Sequence, residues 1–155
     1  MNLYLVQHAE AYPKESDPEQ SLSKVGLQNI RKTAYFASEV LNIRVSMILH
    51  SGKTRAEQTA GILGKRLNPT NGVNVADGLK AMDKPSIWAD RLKEQFEDIM
   101  LVGHLPYMSR LASLLLCGDS EKEIIKFRNA GIVNLIRDDL KVWSIGWILI
   151  PEMVK

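Results

Sequence analysis

Two unbroken apolar runs, Leu3-Tyr4-Leu5-Val6 and Ile99-Met100-Leu101-Val102, constrain the fold more than any other feature of the chain. A strand with one wet face alternates apolar and polar residues, whereas an unbroken run belongs to a strand covered on both faces, the habit of parallel sheets packed between helices. Each run stops abruptly at a polar cluster holding a histidine, Gln7-His8-Ala9-Glu10 after the first and Gly103-His104-Leu105-Pro106 after the second. Ligands of such sheets bind outside the carboxyl ends of the strands. One histidine there is more often a structural residue bonded to nearby backbone, but two of them imply a shared ligand.

Between and beyond these runs, helical and strand patterns alternate. Leu27, Ile30, Ala34, Ala37 and Leu41 lie along one stripe and predict a helix from about Ser23 to Leu41. Val45 and Met47 to Leu49 read as a second strand ending at His50-Ser51-Gly52. Thr54 and Glu57 have the spacing of a capping box, so the next helix is expected to begin at Thr54, with Arg55 in its first turn, and to stop near Asn68-Pro69. A weak strand over Val73 to Val75 precedes a third helix marked by Trp88, Leu92 and Phe96. Pro106 suits the first position of a fourth, buried through Met108, Leu111, Ala112 and Leu115. Ser120 and Glu123 suggest one more short capped helix, and Ile132–Ile136 with Val142–Ile148 form a terminal hairpin around Arg137 to Lys141. The expected fold is α/β: a single-domain, three-layer α/β/α sandwich with a mainly parallel sheet and a C-terminal antiparallel hairpin.

Charge and composition narrow the partners. With a net charge of only +2 and no basic run or aromatic stripe, the 155-residue chain carries no signature of nucleic-acid binding. Its N-terminal apolar segment is too short for a membrane span or a signal core, so no membrane association and a cytoplasmic location are expected. The single Cys117 follows Leu114-Leu115-Leu116 and reads as a buried, reduced thiol. No pair of histidines or cysteines has metal-ligand spacing, so neither a metal site nor a cofactor is expected.

His8, Arg55 and His104 each follow a separate strand, and parallel neighbouring strands would bring them to one sheet edge. A guanidinium, two imidazoles and a helix N-terminus suit an anion, because all offer N–H groups or positive potential to phosphate oxygens. An imidazole can also attack phosphorus, dividing one difficult displacement into two easier ones while cationic donors clamp the equatorial oxygens.

The order QHAE after a strand, then LS and a glycine three residues on, SGKTRAEQT and LVGHLP resembles the histidine phosphatase superfamily. Within it the chain is most similar to the small bacterial SixA phosphohistidine phosphatases, over Met1 to about Leu116, with the match weakest from Asn71 to Pro85. The resemblance implies a phosphoglycerate mutase-like fold. It also implies that His8 is a nucleophile that becomes phosphorylated, that Arg55 clamps phosphate, and that His104 stabilises the transferring group. The implied substrate is a phosphorylated protein such as a histidine phosphotransfer domain, in signal transduction, or else a small phosphorylated metabolite.

The departures are informative. Where the family signature reads Arg-His-Gly, this chain has Gln7, His8 and Ala9. Gln7 keeps an amide donor but loses a charge and a bidentate fork, worth about one to two orders of magnitude in phosphate binding if a charge-assisted hydrogen bond carries roughly 1.5–3 kcal/mol. Lys53, two residues before Arg55, is a candidate to replace part of that charge, and Ser51 is a candidate to offer its hydroxyl or N–H to phosphate. Glu10 and Asp83 are the candidate proton donors. A phosphoramidate relaxes the need for one, since its P–N bond is labile. The alternative to an enzyme is a regulatory pseudoenzyme, in which Gln7 favours recognition of a phosphorylated partner over turnover.

Overall fold

The computed structural model describes the whole chain, Met1 to Lys155. In chain order the elements are β1 (Asn2–Gln7), α1 (Lys24–Glu39), β2 (Met47–His50), α2 (Thr54–Leu67), β3 (Val73–Val75), α3 (Pro85–Lys93), β4 (Ile99–Gly103), α4 (Tyr107–Cys117), β5 (Ile132–Arg137) and β6 (Trp143–Leu149), before a single 3-10 turn at Pro151–Met153. The six strands make one sheet in the order β3-β2-β4-β1-β5-β6. The first four in that order run parallel, and β5 and β6 are antiparallel to their neighbours.

The unbroken apolar runs are explained by two cores, one on each face. Successive strand side chains point to opposite faces. Leu3, Leu5, Ile99 and Leu101 accordingly pack with Trp88 and Leu92 of α3 and with Tyr107, Met108 and Leu111 of α4. Tyr4, Val6, Met100 and Val102 pack with Ile30 and Ala34 of α1 and with Ala56, Ala60 and Leu63 of α2. At roughly 1.5–3 kcal/mol for each large side chain removed from water, a strand buried on both faces is anchored in position. The architecture is the α/β/α sandwich expected, with the parallel strands delivering Gln7, His50 and Gly103 to one edge: Gln7 is level with Gly103, and His50 with Val102.

Two contacts hold the chain as it leaves that edge. Ser23 caps α1, its Oγ accepting from the Gly26 N–H at 3.0 Å, while it donates to Glu10 Oε1 at 2.7 Å. Gly26 itself leaves room for backbone: a Cβ there would lie 2.0 Å from the Glu10 carbonyl oxygen. The Leu22-Ser23 and Gly26 pattern is thus the seat of the segment that follows His8.

Several local expectations are corrected. Helix α2 begins at Thr54, but the residue before it, Lys53, is the cap and makes no side-chain capping bond. The Thr54–Glu57 capping box does not form, because Thr54 already lies inside the helix and its Oγ1 turns toward Glu19 instead. Pro106 is the residue preceding α4 rather than its first member. Phe96 falls beyond the end of α3 and is 73% exposed, stacked over the Arg137 guanidinium. The segment around Ser120 and Glu123 forms turns and bends, with no helix. Ser120 reaches the neighbouring Glu121 carboxylate and Asp119 caps the Glu121 N–H, so local side-chain bonds take the place of a helical turn. Cys117 is exposed, because it is the last residue of α4, just before the left-handed Gly118 turns the chain outward. No helix is long and apolar enough to cross a membrane.

Candidate active site

His8 leaves β1 with its main-chain N–H still bonded to the Gly103 carbonyl at 2.9 Å, which extends the sheet by one residue and fixes the ring at the edge. Its Nδ1 lies 2.7 Å from the Ala9 carbonyl oxygen. A carbonyl only accepts, so Nδ1 carries the proton and Nε2 keeps a free lone pair. Toward that lone pair the Arg55 Nε–H points, at 3.3 Å. Arg55 occupies the first turn of α2, where the helix dipole is positive and no side chain caps the end. Thr59, one turn along the same helix, donates to the Arg55 carbonyl at 2.7 Å and accepts the Ala9 N–H at 3.0 Å, tying the turn after β1 to the helix that carries the guanidinium.

His104, at the exit of β4, is almost wholly buried. Its ring centroid is 5.0 Å from that of His8, tilted by 54°. Its Nε2 is 2.6 Å from Ser51 Oγ, which also accepts the Lys53 N–H at 3.3 Å. Gly52, at φ +86°, lets the loop after β2 fold back so that its N–H reaches His50 Nδ1. His50 is therefore a structural histidine of that loop.

Both site imidazoles are held neutral. Burial is the main cause for His8, supplemented by Arg55 and opposed by the bond to Ala9. Burial pushes His104 down to about 3, helped by the positive charge available on His8, Arg55 and Lys53. Because folding lowers these values, protonation favours the unfolded chain: stability is complete above the unfolded value near 6.5 and falls as pH drops from there toward about 3. Thermal unfolding midpoints should decline across that window, and His104→Asn should flatten the decline. An equally steep decline in that variant would contradict the assignment.

The remaining candidates separate clearly. Gln7 is half-buried beside His8, its Oε1 enclosed without a hydrogen-bond partner. Lys53 is exposed, though its charge is felt at His104. Asp83 accepts the Lys80 N–H at 2.9 Å and lines a cleft of about 490 Å³ together with Ser51, Val75, Asp77, Lys80 and Ile87. Glu10 is exposed, with its carboxylate engaged by Ser23 at the start of α1. The structure therefore joins His8, Arg55, Ser51 and His104 directly, places Asp83 along the adjoining cleft, and gives Glu10 a partner at the α1 cap.

Two contributors escaped sequence reasoning. Thr59 lies inside the SGKTRAEQT segment, but only the contact with Ala9 shows its use. Asn129 has no local signal at all: its Nδ2 donates to the His8 carbonyl at 2.8 Å from 121 positions away. Next to it Ala130, at φ +61°, donates its N–H to the Gln7 carbonyl at 3.0 Å. A larger cleft, about 630 Å³, lies between α3, α4 and β6, lined by residues such as Ala89, Leu115 and Trp143. It includes none of the convergent imidazole and guanidinium groups.

The fold is of the phosphoglycerate mutase-like class. Over its full length and that of its counterpart, the chain superposes with a TM-score of 0.87 and 22% identity on the protein histidine phosphatase SixA complexed with tungstate. A protein assigned as the phosphohistidine phosphatase SixA of Agrobacterium tumefaciens matches over 96% of each chain at 22% identity and TM-score 0.76. A mycobacterial glucosyl-3-phosphoglycerate phosphatase, complexed with VO3, matches over 94% of this chain and 97% of its own at 15% identity and TM-score 0.72. No protein-family model and no curated protein matches the sequence.

Proposed function

We propose that the chain is a histidine phosphatase, dephosphorylating phosphohistidine on a signalling protein in the cytoplasm through a covalent intermediate on His8. The observation that carries this reading is the unprotonated Nε2 of His8, presented to a guanidinium 3.3 Å away and 5.0 Å between ring centroids from a second neutral imidazole. The lone pair on His8 Nε2 attacks phosphorus as the bond to the substrate imidazole breaks, and the departing nitrogen takes a proton from water or from Asp83. Arg55 and its helix N-terminus offer N–H groups to the phosphoryl oxygens, His104 stabilises the transferring group from beside Ser51, and Lys53 adds charge at the rim. Water then cleaves the phosphorus–His8 bond, releasing phosphate and restoring the free Nε2. The structural likeness to phosphatases, two of them complexed with tungstate or VO3, supports an oxyanion as the kind of ligand this chain takes.

Asp83 is favoured over Glu10 as a donor, since it lines the cleft that Ser51 shares whereas the Glu10 carboxylate is committed to Ser23. The limited supply of acid groups fits a P–N bond better than an alkyl phosphate. Hydrolysis rates for phosphohistidine in a phosphotransfer domain, free phosphohistidine and an alkyl phosphate are expected to fall in that order. Equal rates on the free amino acid and the domain would point to a small-molecule substrate. Gln7, which lacks the charge that the resemblance implies at that position, favours a second reading, a phosphate-binding regulator. Tight binding of phosphorylated protein with no release of phosphate would establish it.

A further inference from the structure

We infer that Ser51 is a positioning residue whose hydroxyl fixes His104 as the Nε2–H tautomer, the reverse of His8, whose Nε2 is bare. Ser51 Oγ and His104 Nε2 are 2.6 Å apart, and the two residues are 5% and 3% exposed, so no solvent competes for the contact. A serine hydroxyl has one proton and two acceptor sites, and one of those sites already takes the Lys53 N–H at 3.3 Å. His104 Nδ1 is buried without any partner.

Counting hydrogen bonds then decides the tautomer. If Ser51 donated to Nε2, the proton of His104 would sit on Nδ1 as a buried N–H with nothing to accept it, and Ser51 would leave an acceptor site unused. If Nε2–H donates to Ser51, both acceptor sites are filled and what remains is the Ser51 proton, beside an open cleft, and a bare buried Nδ1, the defect folded proteins tolerate more readily than an orphaned buried N–H. The Ser51 proton is then free to point into the cleft that this residue lines.

His8 is fixed the opposite way by the Ala9 carbonyl. Two rings with the same intrinsic chemistry are thereby divided into an acceptor and a donor. Burial among positive groups keeps His104 uncharged, so the division persists at neutral pH. On the phosphatase reading, on which the catalytic consequence rests, the His104 Nε2–H held by Ser51 turns no repelling lone pair toward an incoming phosphoryl oxygen, and the free Ser51 proton is the donor offered to it.

The chain has three histidines, His8, His50 and His104, which makes the test direct. Two-bond proton–nitrogen spectra of 15N-histidine-labelled protein at pH 7, assigned with single His→Gln variants, identify the protonated nitrogen of each ring. Nδ1–H on His8 and Nε2–H on His104 are expected. Ser51→Ala should move His104 to a mixture or to Nδ1–H and lower kcat/KM for p-nitrophenyl phosphate about tenfold, while Ser51→Thr keeps both close to the parent values. Nδ1–H on His104 in the unaltered protein overturns the inference without recourse to any variant, and so does an unchanged tautomer in Ser51→Ala. The expected tautomers in a protein that forms no phosphoenzyme would uphold the role of Ser51 and overturn the phosphatase reading instead.

Discussion

Replacing His8 by alanine is expected to abolish the phosphoenzyme and to lower turnover by at least about a thousandfold, the scale on which removal of a covalent nucleophile acts. No other group in the site can take its place. His104 presents its Nε2 to Ser51, and its Nδ1 is enclosed. The measurement is an acid-labile, alkali-stable phosphoryl adduct after incubation with phosphohistidine or p-nitrophenyl phosphate. Its mass should locate it on the peptide containing His8. A His8→Ala protein with full activity, or an adduct on another residue, would remove the covalent mechanism. The pH dependence adds an independent check: burial lowers the His8 value, so the acid limb of kcat/KM should lie below the usual 6.5. A limb above 6.5 would mean that the ring is exposed or paired with an acid.

The second large effect is expected at Arg55. Arg55→Ala removes the guanidinium that points at His8 Nε2 and should cost about a hundred- to a thousandfold in kcat, the scale on which loss of a preorganised transition-state donor acts. Because Gln7 stands where the resemblance implies a second arginine, this chain has less charge in reserve, and the loss should fall at the upper end of that range. Arg55→Lys should recover only part, since a point charge cannot reproduce the fork. Lys53→Ala, at an exposed position, should lose much less. Circular dichroism of Arg55→Ala separates catalytic from structural loss. Only a folded protein with intact turnover counts against the role assigned to Arg55.

Much of this was legible in the sequence, and for identifiable reasons. The runs Leu3–Val6 and Ile99–Val102 are apolar at every position because both sheet faces are covered, so they announced the layered parallel sheet and the exit points of His8 and His104. Arg55 was placed because a helix start has local grammar. The same grammar gave the right start at Thr54 but the wrong cap, since Lys53 precedes the helix without a side-chain capping bond and the Thr54–Glu57 box does not form. It misled again at Ser120 and Glu123, where the side chains settle into turns. Phe96 continued an apolar stripe that the backbone had already left, and it packs on Arg137 instead. Cys117 looked buried from its leucine neighbours, but helix periodicity sends the last residue of α4 outward.

What the sequence determined by itself is the chemistry that each strand end carries, since periodicity and residue type are local properties that need no partner to be read. It determined two imidazoles and a guanidinium at three exits, with a glutamine beside the first. Tertiary structure alone decided how those groups are used. Which nitrogen of His104 donates depends on a serine 53 positions away. The loop that steadies His8 comes from 121 positions away. Such hydrogen bonds join residues whose separation along the chain carries no pattern, so they come into being only when the sheet brings its strands into register.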